Sequence, residues 1–209
     1  MFIKGKIMDK RSNILNKLIY PFWADSIRLY ENGISIFEDI DKVCKFGFGH
    51  PKGPFQMMDE IGLDTVYQGL RSLFDDTGDK RFKVPEVLRK MVEEGILGKK
   101  TGKGFYTYKK GKKIKLKKFS ANNASADLID RMVVRMLNET VACLREGIVE
   151  DQDLLDAGCI LGFGFAPFRG GPLTYAHERG FERLLETLKD FRARYGERFS
   201  QDVGWQEVA

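Results

Sequence analysis

This sequence is poor in the residues that most often announce chemistry. It has two histidines, His50 and His177, and neither has a second imidazole at ligand spacing, which argues against a histidine-rich zinc site. Its three cysteines, Cys44, Cys143 and Cys159, are odd in number and far apart. That is no disulfide framework; it fits a reducing, cytoplasmic compartment, with the cysteines as small apolar packing residues. There is no Gly-rich dinucleotide turn after a strand, no phosphate-binding loop, no His-Glu-x-x-His and no nucleophile elbow. No apolar run reaches the length of a membrane span, and the N-terminus, MFIKGKIMDKR, lacks the apolar stretch of a secretory signal. No catalytic, cofactor-binding or metal-binding residue is expected in this chain by itself.

What the sequence does have, it has twice. Asn16 to Ile34 reads NKLIYPFWADSIRLYENGI, and Asp130 to Ile148 reads DRMVVRMLNETVACLREGI. Their apolar positions coincide: Leu18 with Met132, Ile19 with Val133, Ile27 with Val141, Tyr30 with Leu144, and Gly33 with Gly147. Each copy passes through a second helix to a Gly-rich turn, GFGHPKGP (Gly47 to Pro54) and GFGFAPFRGGP (Gly162 to Pro172), and then to a further glycine, Gly62 or Gly180. A repeat of this length is one supersecondary unit used twice, with a face that each copy buries against its neighbour. The two copies are expected to pack about a local pseudo-twofold axis, and a fused pair favours a monomer over a homodimer.

The positive charge is local. Lys99 to Lys118 contains ten lysines and no acidic residue. The favoured reading is a solvated linker, ahead of phosphate attraction and of nucleic-acid binding; the run has no arginine and no evident base-stacking platform.

Helical periodicity dominates and the class is all-α. A helix is expected over 13–32, kinked at Pro21 and ended by Gly33. Ser35 and Glu38 form a candidate capping box for a helix over 36–46. Shorter helices follow over 54–60, from Asp64 as a cap to Gly78, and from Pro85 to Gly95. Gly98 to Tyr108 reads as a packed loop or extended tail, Lys112 to Phe119 as a strand, and Phe181 to Tyr195 as the last clear helix, with Gly196 as its stop. The domains expected are a short connection over 1–12, a first helical domain over 13–108, a basic linker over 109–123 and a second helical domain over 124–209.

Three polar residues are candidates for function. His50, just before Pro51, is either a base or phosphate contact in a cleft or, as favoured, a surface turn residue; His177 is weighed the same way. Asn16 begins a strongly apolar helix. It either caps that helix or points into a cleft as a substrate-binding residue.

These residues resemble a known family. Asn16-Lys17-Leu18, Gly47-Phe48-Gly49-His50-Pro51-Lys52-Gly53-Pro54-Phe55, Asp59, Gly62-Leu63-Asp64 and Leu97-Gly98-Lys99-Lys100-Thr101-Gly102-Lys103-Gly104-Phe105-Tyr106 are similar to the C-terminal domain of (S)-3-hydroxyacyl-CoA dehydrogenases. Gly162-Phe163-Gly164 and Pro167-Phe168-Arg169-Gly170-Gly171-Pro172 resemble the second such domain of multifunctional fatty-acid oxidation enzymes. The resemblance implies NAD-dependent oxidation of 3-hydroxyacyl-CoA to 3-ketoacyl-CoA in β-oxidation. A preceding Rossmann domain holds NAD and the catalytic His–Glu pair in that family; residues before Asn16 look like the stub of its last strand and the connection onward. The resemblance also implies that Asn16 holds the acyl-CoA substrate, and that a Rossmann domain or subunit is the partner. Asp130 stands at the matching position of the second copy. The family usually has Arg where this chain has Lys17, and a large apolar residue where it has Lys52. The rival reading is a non-catalytic helical assembly module with a polyanion-binding, lysine-rich linker.

Overall fold

The computed structural model describes residues 2–47, 49–114 and 126–208. Ten helices run along the described chain: α1 (Phe2–Glu31), α2 (Phe37–Lys42), α3 (Pro54–Ile61), α4 (Leu63–Thr77), α5 (Glu86–Glu93), α6 (Ala126–Arg145), α7 (Gln152–Gly158), α8 (Pro172–Arg179), α9 (Phe181–Tyr195) and α10 (Trp205–Val208). The only described sheet is a hairpin of β1 (Tyr108–Lys109) and β2 (Lys112–Lys113), antiparallel. The protein is therefore mostly helical, as the periodicity predicts. No described helix is long and apolar enough to cross a membrane.

The chain divides into two compact units, one of residues 1–19 with 130–209 and the other of 20–129. The seam falls inside α1, between Ile19 and Tyr20, and Pro21 is the second residue beyond it. Proline at that position leaves the carbonyl of Lys17 without its helical donor.

In the 20–129 unit, Ile27, Ile40, Phe55, Met58, Leu63, Val66, Leu70, Phe82 and Leu88 are wholly or almost wholly buried. Each comes from a different turn of α1 to α5 or from the link before α5, so the short helices share one core. At one end of it the rings of Tyr30, Phe37, Phe55 and Phe105 meet edge-on or tilted, with centroids 4.6–6.1 Å apart. Gly69, within α4, makes room for Tyr20: a Cβ there would stand 2.2 Å from the Tyr20 hydroxyl. In the other unit α6 is buried all round, which marks a central helix. Its Val133, Leu137 and Val141 lie in a core with Leu184, Leu188, Phe199 and Trp205. Asn138 clamps the C-terminal segment there: its Oδ1 accepts from the Asp202 amide and the Trp205 indole, both at 2.9 Å, and its Nδ2 donates to the Ser200 carbonyl at 3.1 Å.

Several local expectations need correction. Residues 2–12, expected as a strand stub and connection, are helical from Phe2. The capping box does not form: α2 starts one residue later, Ile36 is its N-cap without a side-chain bond, and Ser35 Oγ donates to the Ile36 carbonyl instead. That helix also stops at Lys42, because Val43–Gly47 widens into a π-turn. Asp64 lies inside the first turn of α4 rather than capping it, and binds Lys100. Of the strand expected over 112–119, Lys112–Lys113 is extended, and residues 115–119 lie outside the described part. The helices over Pro54–Ile61 and Phe181–Tyr195 lie where the sequence puts them, and the three cysteines are buried, without disulfides.

Candidate functional site

Asn16 is not a helix cap. It lies in the interior of the 30-residue α1, half-buried, and its side chain has no hydrogen-bond partner among the described residues. A polar amide in a helix interior gains little from local bonding there. The next residue, Lys17, pairs with Glu146 at 2.9 Å. At the matching position of the second copy the chemistry is closed: Asp130 is bound by the guanidinium of Arg179, which also donates to the Tyr175 hydroxyl at 3.2 Å.

The Gly-rich turns are organised by carboxylates that sequence reasoning did not single out. Asp41, at the end of α2, is buried. Its Oδ1 accepts the Phe55 amide at 2.8 Å, and its Oδ2 accepts the Gln56 amide at 3.1 Å and the Tyr106 hydroxyl at 2.9 Å. It thus satisfies free N–H groups at the start of α3, where the helix dipole favours negative charge. Gly53 allows this approach, since a Cβ there would lie 2.3 Å from Asp41 Cα. The second turn repeats the arrangement. Asp156 accepts the Leu173 amide at 2.8 Å and the Thr174 amide at 2.9 Å at the start of α8, and a Cβ on Gly171 would stand 2.2 Å from its Cγ. The π-turn recurs as Cys159–Phe163. His50 N–H donates to the Cys44 carbonyl at 3.2 Å, and Phe165 N–H to the Cys159 carbonyl at 3.1 Å. The signal for Asp41 and Asp156 was present in the sequence: both precede their Gly-rich turns at the same distance.

Asp59 is fully buried and anchors the glycine-rich tail. Its Oδ1 accepts the Phe105 amide at 3.0 Å; its Oδ2 accepts the Tyr106 amide at 2.8 Å and the Tyr108 hydroxyl at 3.1 Å. A Cβ at Gly104 would lie 2.0 Å from Asp59 Oδ1, and one at Gly98 2.4 Å from the Asp59 carbonyl oxygen. Gly98 and Gly104 make room for that approach. Burial pushes the Asp41 carboxyl up to about 6, against the pull of the Phe55, Tyr106 and Gln56 hydrogen bonds and of Lys113; burial raises Asp59 in the same way.

His50 is buried rather than exposed, which corrects the favoured expectation. The π-turn folds the loop back so that the imidazole stacks on Phe22, with centroids 6.3 Å apart. His177 is exposed on α8, edge-on to Phe181. Large apolar side chains at or just before the Gly-rich turns face solvent: Phe46 is 78% exposed, Leu161 87% and Phe168 80%. Asn16 and the first turn belong to different units, as do the two turns. Among the described residues no cluster of His, Cys, Asp or Glu could hold a metal.

Comparison with known proteins gives these features a family. Residues 14–108 match the family described as 3-hydroxyacyl-CoA dehydrogenase, C-terminal domain. The chain is 34% identical over 204 residues to the fatty acid oxidation complex subunit alpha of Vibrio parahaemolyticus, and 36% identical over 205 residues to that of Idiomarina loihiensis. In both cases the match covers 93% of this chain and 28% of the relative, so the chain spans under a third of these relatives' length. In fold it resembles 3-hydroxybutyryl-CoA dehydrogenase from Escherichia coli, with a TM-score of 0.76 at 20% identity over 93% of this chain and 58% of that one. It also resembles the dehydrogenase part of a multifunctional enzyme from C. elegans, with a TM-score of 0.66 at 20% identity over 95% of this chain and 48% of that one. Residues 14–108 are thus a C-terminal domain of the 3-hydroxyacyl-CoA dehydrogenase family.

Proposed function

We propose that this chain is the substrate-side, assembly portion of an NAD-dependent 3-hydroxyacyl-CoA dehydrogenase of fatty-acid β-oxidation. Asn16 positions the acyl-CoA, and a separate Rossmann domain or subunit supplies NAD and the catalytic His–Glu pair. The observation that carries the reading is the contrast at the matched positions: Asn16 has no side-chain partner among the described residues, while Asp130 is held by Arg179. A neutral amide can donate to a carbonyl or accept from a hydroxyl, so it suits either end of a hydroxyl-to-ketone conversion. Its contribution is orientation of the reacting carbon.

The reading assigns the dinucleotide elsewhere. A pyrophosphate seat needs a Gly-rich turn between a strand and a helix, and the strand pairing described here is one short antiparallel hairpin. These residues do not fit NAD, and no step in this chain runs through it. The second copy, on this reading, supports structure, and the matched carboxylates Asp41 and Asp156 support its origin as a duplicate of the first. The exposed Phe46, Leu161 and Phe168 are surfaces for the rest of the enzyme to cover.

Mixing the chain with a Rossmann domain of a homologous subunit tests the proposal. Dehydrogenase activity on 3-hydroxybutyryl-CoA should appear in the mixture and in neither part alone. Activity or micromolar NAD binding by this chain alone contradicts it. A stable complex without activity favours an assembly module instead.

A further inference from the structure

The hairpin that follows the Asp59-anchored tail breaks two rules of local stability at once. Lys109 and Lys112 are direct cross-strand partners, and like charges in that relation are destabilising. Between them the turn is Lys110-Gly111, and Lys110 is the one described non-glycine residue with positive φ, at 50°. Tyr108 is buried beside them, so the alternation of the strand turns Lys109 and Lys112 to solvent. Lys103, bridged to Thr107 just before β1, is exposed as well. Lys99 reaches the same tip, since its Cε lies 3.8 Å from where a Cβ on Gly111 would stand.

The neighbouring carboxylates are already engaged. Asp64 binds Lys100 at 2.5 Å, Glu60 binds Lys52 and Gln56 and feels the charge of Lys99, and Asp41 and Asp59 are buried. Lys113 is held by Gln56 at 3.0 Å and lies over the Tyr106 ring. Among the described residues, Lys103, Lys109, Lys110 and Lys112 make no ion pair. A fold that crowds cations at the cost of stability is arranged for an anion.

The geometry points to the negatively charged surface of a phospholipid bilayer as that anion: we propose that Lys103, Lys109, Lys110 and Lys112 form a docking tip for it. The tip is exposed and carries no arginine. The aromatic rings nearby, Phe105, Tyr106 and Tyr108, are engaged in the core, so they offer no platform for bases. Ile114, next in the chain and 43% exposed, offers one apolar side chain to the interface. Each lysine near an anionic surface contributes about fivefold to partitioning, so four give weak, reversible attachment that salt abolishes.

Cosedimentation of the full chain with vesicles tests this, using phosphatidylglycerol mixed with phosphatidylcholine, and phosphatidylcholine alone. Binding is expected to the mixed vesicles at low salt only. The Lys103→Gln, Lys109→Gln, Lys110→Gln, Lys112→Gln variant should bind on the order of several hundredfold more weakly and melt no lower than the parent, since repulsion is relieved. Should that variant fail to fold, Lys110→Gly relieves the positive φ, removes one charge, and should cost about fivefold. Equal binding to neutral vesicles, no binding at low salt, binding unchanged in the folded variants, or tighter binding to duplex RNA than to mixed vesicles would each overturn the proposal.

Discussion

Asp41 and Asp156 perform the same act in the two halves of the chain: each accepts two successive amides at the start of the next helix, from Phe55 and Gln56 or from Leu173 and Thr174. Both are buried, and both sit against a glycine that has no room for a side chain. These carboxylates hold each Gly-rich turn closed onto the helix before it.

Asp59→Ala should be among the most damaging single changes. It leaves two amides and the Tyr108 hydroxyl without their acceptor, and each buried unpaired donor costs about 1–3 kcal/mol. Urea unfolding should show a loss of at least about 3 kcal/mol, with increased proteolysis within 98–113. A loss below about 1 kcal/mol means that the aromatic cluster around Phe105, not Asp59, holds the tail.

Two glycines separate space from conformation. Gly53 has an ordinary φ of −78°, but no room. Gly95 has φ +73° and open space around it. Gly53→Ala must displace the backbone of α2 and should cost more than about 2 kcal/mol, while Gly95→Ala should cost about 1 kcal/mol from strain alone. Thermal melting of the pair checks the order; the reverse order contradicts the packing described for Asp41.

Asp41 gives a pH dependence of defined sign. Its carboxyl titrates at about 6 in the folded protein, against 3.8 as the ordinary value. Between those values the folded state keeps a proton that the unfolded chain has released, so stability falls as pH rises through that window. Glu60 and Asp64 are lowered and act in the opposite sense, so the difference from Asp41→Asn is the quantity to read. Urea midpoints at about pH 4.5 and about pH 7 should show the parent losing on the order of 2 kcal/mol relative to the variant. Equal pH responses contradict the raised value.

The sequence made the periodic elements legible. The apolar spacing of α9 and the bracketing glycines of α3 are local signals, and local signals survive folding. The capping box at Ser35 failed because the chain enters α2 extended at Ile36, a matter of tertiary approach rather than propensity. His50 was misread as exposed because its burial depends on the π-turn over Val43–Gly47, which has no periodic signature. Asp59 was noted only within the family pattern, since its partners lie over forty residues away in sequence. Asn16 was named as a site residue or a cap, and its place inside α1 removes the cap.

The central claim is that the first copy faces substrate and the second does not. Steady-state kinetics of the chain reconstituted with a Rossmann domain, comparing Asn16→Ala with Asp130→Ala at equal folded fraction, tests it most directly. Loss of one neutral positioning hydrogen bond, about 0.5–1.5 kcal/mol, predicts a kcat/KM for Asn16→Ala about 2- to 13-fold below the parent. Asp130→Ala should leave kcat/KM unchanged and lower stability, since it frees Arg179. Equal losses of kcat/KM in the two variants would contradict the account.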